Sequence, residues 1–208
     1  MPAESTGVDI AADAMSRPPG SVLGMTDGPE ERGLSRWTIH GERVVDDTRR
    51  GRLSIVQVEL PDGVKFEQYV LKLPKSATVT VVRAGQVLMM WRHRFVIDRW
   101  VWELPGGYVD AEEDPAVTAA REVEEETGWR PGKIEQLASF QPMVSTIDSE
   151  NLIFYADGAE FIGGPKDVNE AERVAWIDLT EILPMIQRGE IVGSSSVVGL
   201  LSTLARLS

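Results

Sequence analysis

Residues 107 to 129, GYVDAEEDPAVTAAREVEEETGW, constrain the chain more than any other stretch, because both ends of a helix are written into them. Asp114 can cap the helix start through its carboxylate, and Pro115 suits the first helical position, where an amide hydrogen has no partner within the helix. Gly128 supplies a left-handed residue at the other end, so the spacing predicts about three turns beginning near residue 115. On such a helix Glu122, Glu125 and Glu126 stand at i, i+3 and i+4, which gathers three carboxylates on one face. Ala116, Ala120 and Val123 fall on another face, the one expected to be buried. Like charges at that spacing repel, and glutamates near a helix C-terminus oppose its dipole, so helix stability does not account for them. A hard divalent cation does, since Mg²⁺ takes oxygen ligands and bridges carboxylates to substrate phosphates. The competing reading is a solvated acidic face.

The remainder of the chain sets limits on the partners. Its 208 residues suit one domain of ordinary size with appendages, and 42% hydrophobic residues suffice for a real core. A formal charge of -12 without any basic block argues against nucleic acid or an anionic membrane as partner, and leaves an anionic substrate in need of metal ions. There are no cysteines, which excludes disulfides, thiol catalysis and thiolate zinc sites. No apolar run approaches roughly 18 residues and no basic start precedes an apolar block, so neither a spanning helix nor a signal peptide is expected, and the cytoplasm is the expected location.

Residues 1–33, rich in Gly, Pro, Ser and acids, have the composition of a flexible tail. Over residues 34–75 the alternating runs WTIHGERVV, RLSIVQVEL and FEQYVLKL, separated by turn material, predict a three-stranded antiparallel meander. Residues 76–208 form the main domain: strands near 78–83, 86–91 and 100–104, then the loop Pro105-Gly106-Gly107 and the helix, strands near 134–141, 151–156 and 173–177, and helices near 179–188 and 195–207. Pro184 falls inside the first of those last two helices.

Gly107, Glu113, Arg121-Glu122-Val123, Glu125-Glu126, Gly128 and the bulky apolar Trp129 resemble, position by position, the signature box of the Nudix hydrolases. Trp129 departs in kind, since the family more often has an aliphatic residue there. The resemblance implies an α/β fold, a Nudix-type α/β/α sandwich with a mixed sheet, preceded here by the N-terminal antiparallel β-meander. The meander is similar to that of the ADP-ribose and nucleotide-sugar pyrophosphatase branch, whose members use it to build a homodimer. The implied activity is metal-dependent hydrolysis of the pyrophosphate of a nucleoside diphosphate linked to another moiety, first ADP-ribose to AMP and ribose 5-phosphate, with Mg²⁺ or else Mn²⁺. Other nucleotide sugars, dinucleotides and nucleoside triphosphates stay open, as does a Nudix-fold sensor that binds a nucleotide without cutting it. By motif position, Glu122 and Glu126 are expected metal ligands, Glu125 a third ligand or the group that orients water, and Gly106 a carbonyl ligand. Gly107, Glu113, Arg121 and Gly128 are expected to be structural, with Arg121 fixing a glutamate. The branch places its general base on a loop after the box, where this sequence offers Glu170 and Glu172, Glu170 matching the expected spacing ahead of Arg173. Arg94 resembles the arginine that the branch turns on its substrate, Trp37 is a candidate for stacking on a base, and Glu103 for a ribose hydroxyl. Each of these last three is also readable as an ordinary strand residue. Pro142 lies nearer the box than the proline associated with ADP-ribose preference, which leaves the substrate less constrained than the reaction.

Overall fold

The computed structural model describes residues 35–165 and 171–208. The strands are β1 (Thr38–Thr48), β2 (Gly51–Glu59), β3 (Lys65–Lys72), β4 (Ser76–Arg83), β5 (Gln86–Arg94), β6 (Arg99–Glu103) and β7 (Gly106–Tyr108). Helix α1 (Pro115–Thr127) follows, then β8 (Trp129–Pro131), β9 (Ile134–Phe140), β10 (Ile147–Asp148), β11 (Asn151–Asp157), β12 (Ala159–Phe161) and β13 (Arg173–Asp178). The chain ends in α2 (Ile182–Gln187) and α3 (Ser194–Leu207). The expected tail lies outside the described residues. Among the described residues no helix is long and apolar enough to cross a membrane.

Two compact units arise, one from residues 35–43 and 55–69, the other from 44–54 and 70–208, and β1, β2 and β3 run through both. In the first unit Trp37 meets Phe66 edge to face at 5.7 Å, and Glu59 takes both His40 at 2.5 Å and Lys65 at 3.3 Å. The meander forms in the expected order, β1-β2-β3, with β10 added beside β3.

The second unit is built on a seven-stranded sheet ordered β13-β5-β4-β11-β9, with β6 on β5 and β7 on β4. β11 runs parallel to β4 while the other pairings are antiparallel, so the sheet is mixed. Its central strands are mostly apolar because both faces are covered, with Thr78 and Thr80 the buried polar residues of β4. Val79, Val81 and Leu88 pack with Ala119 and Val123 of α1 on one face, and their neighbours Val82, Val87 and Met89 pack with Ile182, Met185 and Leu200 on the other. Alternation along each strand thus distributes side chains between two helical layers.

Helix α1 begins and ends where its sequence dictates. Asp114 accepts a hydrogen bond from the Ala116 amide at 2.8 Å, and Gly128, at φ 74°, donates to the Glu124 carbonyl at 3.0 Å. Gly128 is also pressed so closely on a neighbouring loop that a Cβ would come 2.0 Å from the Gly163 carbonyl oxygen. The buried face differs from the expected one: Ala119, Val123, Glu126 and Thr127 are buried, whereas Ala116 and Ala120 are only half-buried. The acidic and buried faces therefore overlap at Glu126, three residues beyond Val123 and seven beyond Ala119. Near the C-terminus the expected helix over 179–188 divides into a 3₁₀ turn, Leu179–Glu181, and the short α2. Pro184 is accommodated in the first turn of α2, where its missing amide hydrogen is not needed.

Candidate active site

A cavity of about 580 Å³ opens in the second unit where the end of β5, the Pro105-Gly106-Gly107 loop, one face of α1 and the first turn of α3 meet. Glu126 is its most constrained side chain, 3% exposed. One carboxylate oxygen accepts the Gly106 amide at 2.8 Å and the other accepts Arg92 Nη1 at 3.1 Å. Arg92 is itself buried, and the same Nη1 lies 4.0 Å from Glu103. Arg94, two residues on along β5, grips Glu103 with its Nε and Nη2, at 2.5 to 3.0 Å. Burial of these charges is tolerable because each is paired.

Close backbone approach brings the glycine loop to the acidic helix. A Cβ on Gly106 would stand 2.4 Å from the Ala77 carbonyl oxygen, and one on Gly107 would stand 2.6 Å from the Glu122 carboxylate carbon. Glu122 and Glu126 both line the cavity, whereas Glu125 does not. At about 100° per residue, Glu126 lies about 40° to one side of Glu122 and Glu125 about 60° to the other, so the three share one face of α1 with Glu122 in the middle. Arg121 holds Glu125 at 3.1 Å and Glu122 at 2.9 Å through the same Nη1, and reaches Glu113 at 3.2 Å. Among the described residues no three His, Cys, Asp or Glu side chains come together in a group able to hold a metal. Glu122 and Glu125 thus meet at one guanidinium nitrogen, while Glu126 is held from the other side by Arg92 and the Gly106 amide.

Glu113 also accepts the Thr118 hydroxyl at 2.6 Å. Arg121 and then Thr118 hold its carboxyl below the ordinary 4.5, and Glu113 in turn raises the Arg121 guanidinium. A carboxyl whose folded value lies below its unfolded one stabilises the fold above about 4.5 and loses that contribution as the pH falls through the lowered value. Arg121→Gln is therefore expected to return the Glu113 carboxyl towards 4.5, read by ¹³C NMR titration, and an unchanged low value would count against Arg121 as the cause.

A polar wall that sequence reasoning missed faces the carboxylates. Asn151 accepts hydrogen bonds from Ser76 at 2.8 Å and Ser195 at 3.0 Å and donates to the Ser149 carbonyl at 2.8 Å, while Ser196 accepts the Leu104 amide at 3.0 Å. The only hint in the sequence is Gly193-Ser194-Ser195-Ser196 at the start of α3. Of the other expected residues, Arg94, Glu103 and Pro142 line the cavity. Trp37 lies in the first unit, 58% exposed. Glu172 donates its amide to the Trp91 carbonyl at 2.9 Å, and Glu170 lies outside the described residues. His93 pairs with Asp98 at 3.1 Å, His40 with Glu59, and neither lines this cavity.

The model of the NUDIX domain matches residues 72–193, over the strands, glycine loop and acidic helix that frame this cavity. The chain belongs to the Nudix family. Among Nudix relatives it is 48% identical over 170 residues to the CMP-5'-(N-acetyl-N-hydroxy-3-aminopropyl)phosphonate hydrolase of Streptomyces rubellomurinus, covering 81% of this chain and 82% of that one. It is 30% identical over 153 residues to the ADP-ribose pyrophosphatase of Mycobacterium tuberculosis, covering 72% and 74%. A crystal structure of an ADP compounds hydrolase shares the fold, with a TM-score of 0.74 at 17% identity over 85% of this chain and 96% of that one. The chain is accordingly a Nudix hydrolase of the ADP-ribose pyrophosphatase-like branch, with the α/β fold that the box implied and the leading antiparallel strands that the alternating runs predicted.

Proposed function

We propose that this Nudix hydrolase cleaves the phosphoanhydride of a nucleoside 5'-diphosphate joined to a second moiety, with ADP-ribose, giving AMP and ribose 5-phosphate, as the first substrate. The observation that carries the reading is the meeting of Glu122 and Glu126 with the Gly106-Gly107 loop on one cavity. Family members generally use divalent metals, and the donors here fit one. They are hard carboxylate oxygens, and the space a Gly107 side chain would occupy is left to the Glu122 carboxylate. Glu122, Glu126 and the Gly106 carbonyl would hold Mg²⁺ or Mn²⁺, and Glu125 would join them or orient water on release from Arg121. When bound, the cation supplies positive charge against the phosphate oxygens.

The protein's own groups do the rest. Arg92 and the Gly106 amide fix Glu126 in place, so its carboxylate needs no reorganisation when substrate arrives. Glu170 accepts the proton of the attacking water, the water oxygen bonds to phosphorus, and the bridging oxygen leaves on the other phosphate. Arg94 and Glu103 meet the substrate as a pair, Trp37 stacks on the base, and the meander joins two copies into a homodimer. Glu170→Gln is expected to lower kcat about a hundredfold with little change in KM, and unchanged turnover would remove it from the mechanism.

A second reading, favoured by the 48% identity to the phosphonate hydrolase, places a CMP-linked phosphonate in the same cavity. Incubation with Mg²⁺ and a panel of ADP-ribose, nucleotide sugars, CMP-linked phosphonates, dinucleotides and triphosphates, with product identification, decides between them. AMP with ribose 5-phosphate supports the first, and CMP from the phosphonate alone supports the second. Cleavage of triphosphates alone overturns both, and binding without any cleavage favours the sensor.

A further inference from the structure

We propose that Arg50 is a substrate-binding residue, its guanidinium taking a phosphoryl oxygen of the phosphoanhydride held in the cavity. Three arginines line that cavity, Arg50, Arg92 and Arg94. Two are committed within the protein, Arg92 to Glu126 and Arg94 to Glu103. Among the described residues the Arg50 side chain has no ion pair or hydrogen bond, the residue's only bond of that kind running from its backbone amide to the Thr48 hydroxyl at 3.2 Å.

Local chemistry presents Arg50 in this way. It sits at the tip of the β1–β2 hairpin, where Arg52 clamps Asp47 across the strands beside the turn at 3.0 and 2.6 Å. Thr48 closes the turn, accepting from the Arg50 amide and donating to the Gly51 carbonyl at 3.3 Å. The next residue must be small, since a Cβ on Gly51 would lie 2.8 Å from Leu73 Cδ2 and 3.1 Å from the Lys72 carbonyl oxygen. This contact seats the hairpin against residues 72–73, and Leu73 lines the cavity together with Arg50. Neighbouring arginines do not substitute for it: Arg52 is spent on Asp47, and Arg49 does not line the cavity.

The electrostatics favour such a role. With a net charge of -12 the protein's overall field opposes an anionic substrate, so a local cation beside the acidic wall is valuable. A guanidinium suits phosphate oxygens because its N–H groups pair with them in a fixed fork. The inference rests on the hydrolase reading for its choice of ligand but is testable apart from it.

The test is equilibrium dialysis, in excess Mg²⁺, of the uncleavable α,β-methylene analogues of ADP-ribose and CDP against the full-length protein and its Arg50→Gln, Arg50→Lys and Arg49→Gln variants. Arg50→Gln is expected to weaken binding about tenfold and to flatten the decline of affinity with added salt. Arg50→Lys should recover part of the loss, and Arg49→Gln should bind as the unaltered protein does. Equal affinities for Arg50→Gln and the unaltered protein, or no binding of either analogue, would overturn the proposal. Turnover of the cleavable compounds is measured alongside, so that binding that depends on Arg50 without any cleavage would sink the hydrolytic reading and leave this one standing.

Discussion

Glu126→Ala is expected to lower turnover by about a hundredfold or more and to destabilise the fold by about 3 kcal/mol. The second effect follows from what the carboxylate leaves behind. Arg92, 8% exposed, would lose the carboxylate it holds at 3.1 Å, and the Gly106 amide would lose its acceptor. A buried charge stripped of its partner costs far more than the pair was worth. For a chain of this size the melting temperature should fall by roughly 6 to 12 °C. Glu126→Gln does not escape the penalty, because one of its two terminal atoms is a donor that must face either Arg92 or the Gly106 amide, both donors themselves. Glu122→Gln makes the internal comparison. Glu122 is half-buried and its partner Arg121 retains Glu113 and Glu125, so turnover should collapse while the melting temperature moves little. Thermal melts by circular dichroism and steady-state turnover read the two effects separately. A Glu126→Ala protein that melts with the unaltered one would refute the buried pair, and one that keeps its turnover would refute the site.

This double dependence of Glu126 on fold and chemistry marks the boundary of what the sequence discloses. The ends of α1 were legible because Asp114, Pro115 and Gly128 act on their own backbone, and a spacing of four residues is enough to bring Glu122 and Glu126 to one side. The sandwich was legible only through the resemblance that the box carries, and the strands around it through their turn residues and alternation. What pairs with Glu126 was not, because Arg92 lies 34 residues away and reaches it only once β5 packs beside the helix. The wall around Asn151 joins residues up to 92 positions apart, with hydroxyls that any loop carries. The ribbon of β8 and β12, three residues in each strand, is too short for any period to register. Its tertiary role nevertheless explains the departure at Trp129. That ring packs on Phe161 at 5.1 Å and edge-on to Trp176 at 5.2 Å, with the Arg83 guanidinium within 4.6 Å of both indoles, an arrangement closed to an aliphatic side chain.

Gly107→Ala is expected to leave the protein folded while lowering turnover about a hundredfold. The added methyl would sit 2.6 Å from both Cδ and Oε1 of Glu122 and 2.9 Å from its other oxygen. These atoms are the end of a flexible side chain, so the carboxylate can swing away for less than about 1 kcal/mol of stability. The displacement is large for chemistry, however, since a misplacement of about 1 Å in an active site can cost a hundredfold in rate. Gly106→Ala is the contrasting case. Its methyl would meet the Ala77 carbonyl oxygen at 2.4 Å and Thr78 Cα at 2.7 Å, backbone atoms of β4 that cannot yield without disturbing the sheet, and melting should drop along with activity. Mn²⁺ affinity measured by calorimetry should weaken in Gly107→Ala in step with turnover, because the glycine acts by leaving room for one ligand. A Gly107→Ala protein with unaltered turnover and Mn²⁺ affinity would mean that the Glu122 carboxylate does not work from the position it holds against the loop.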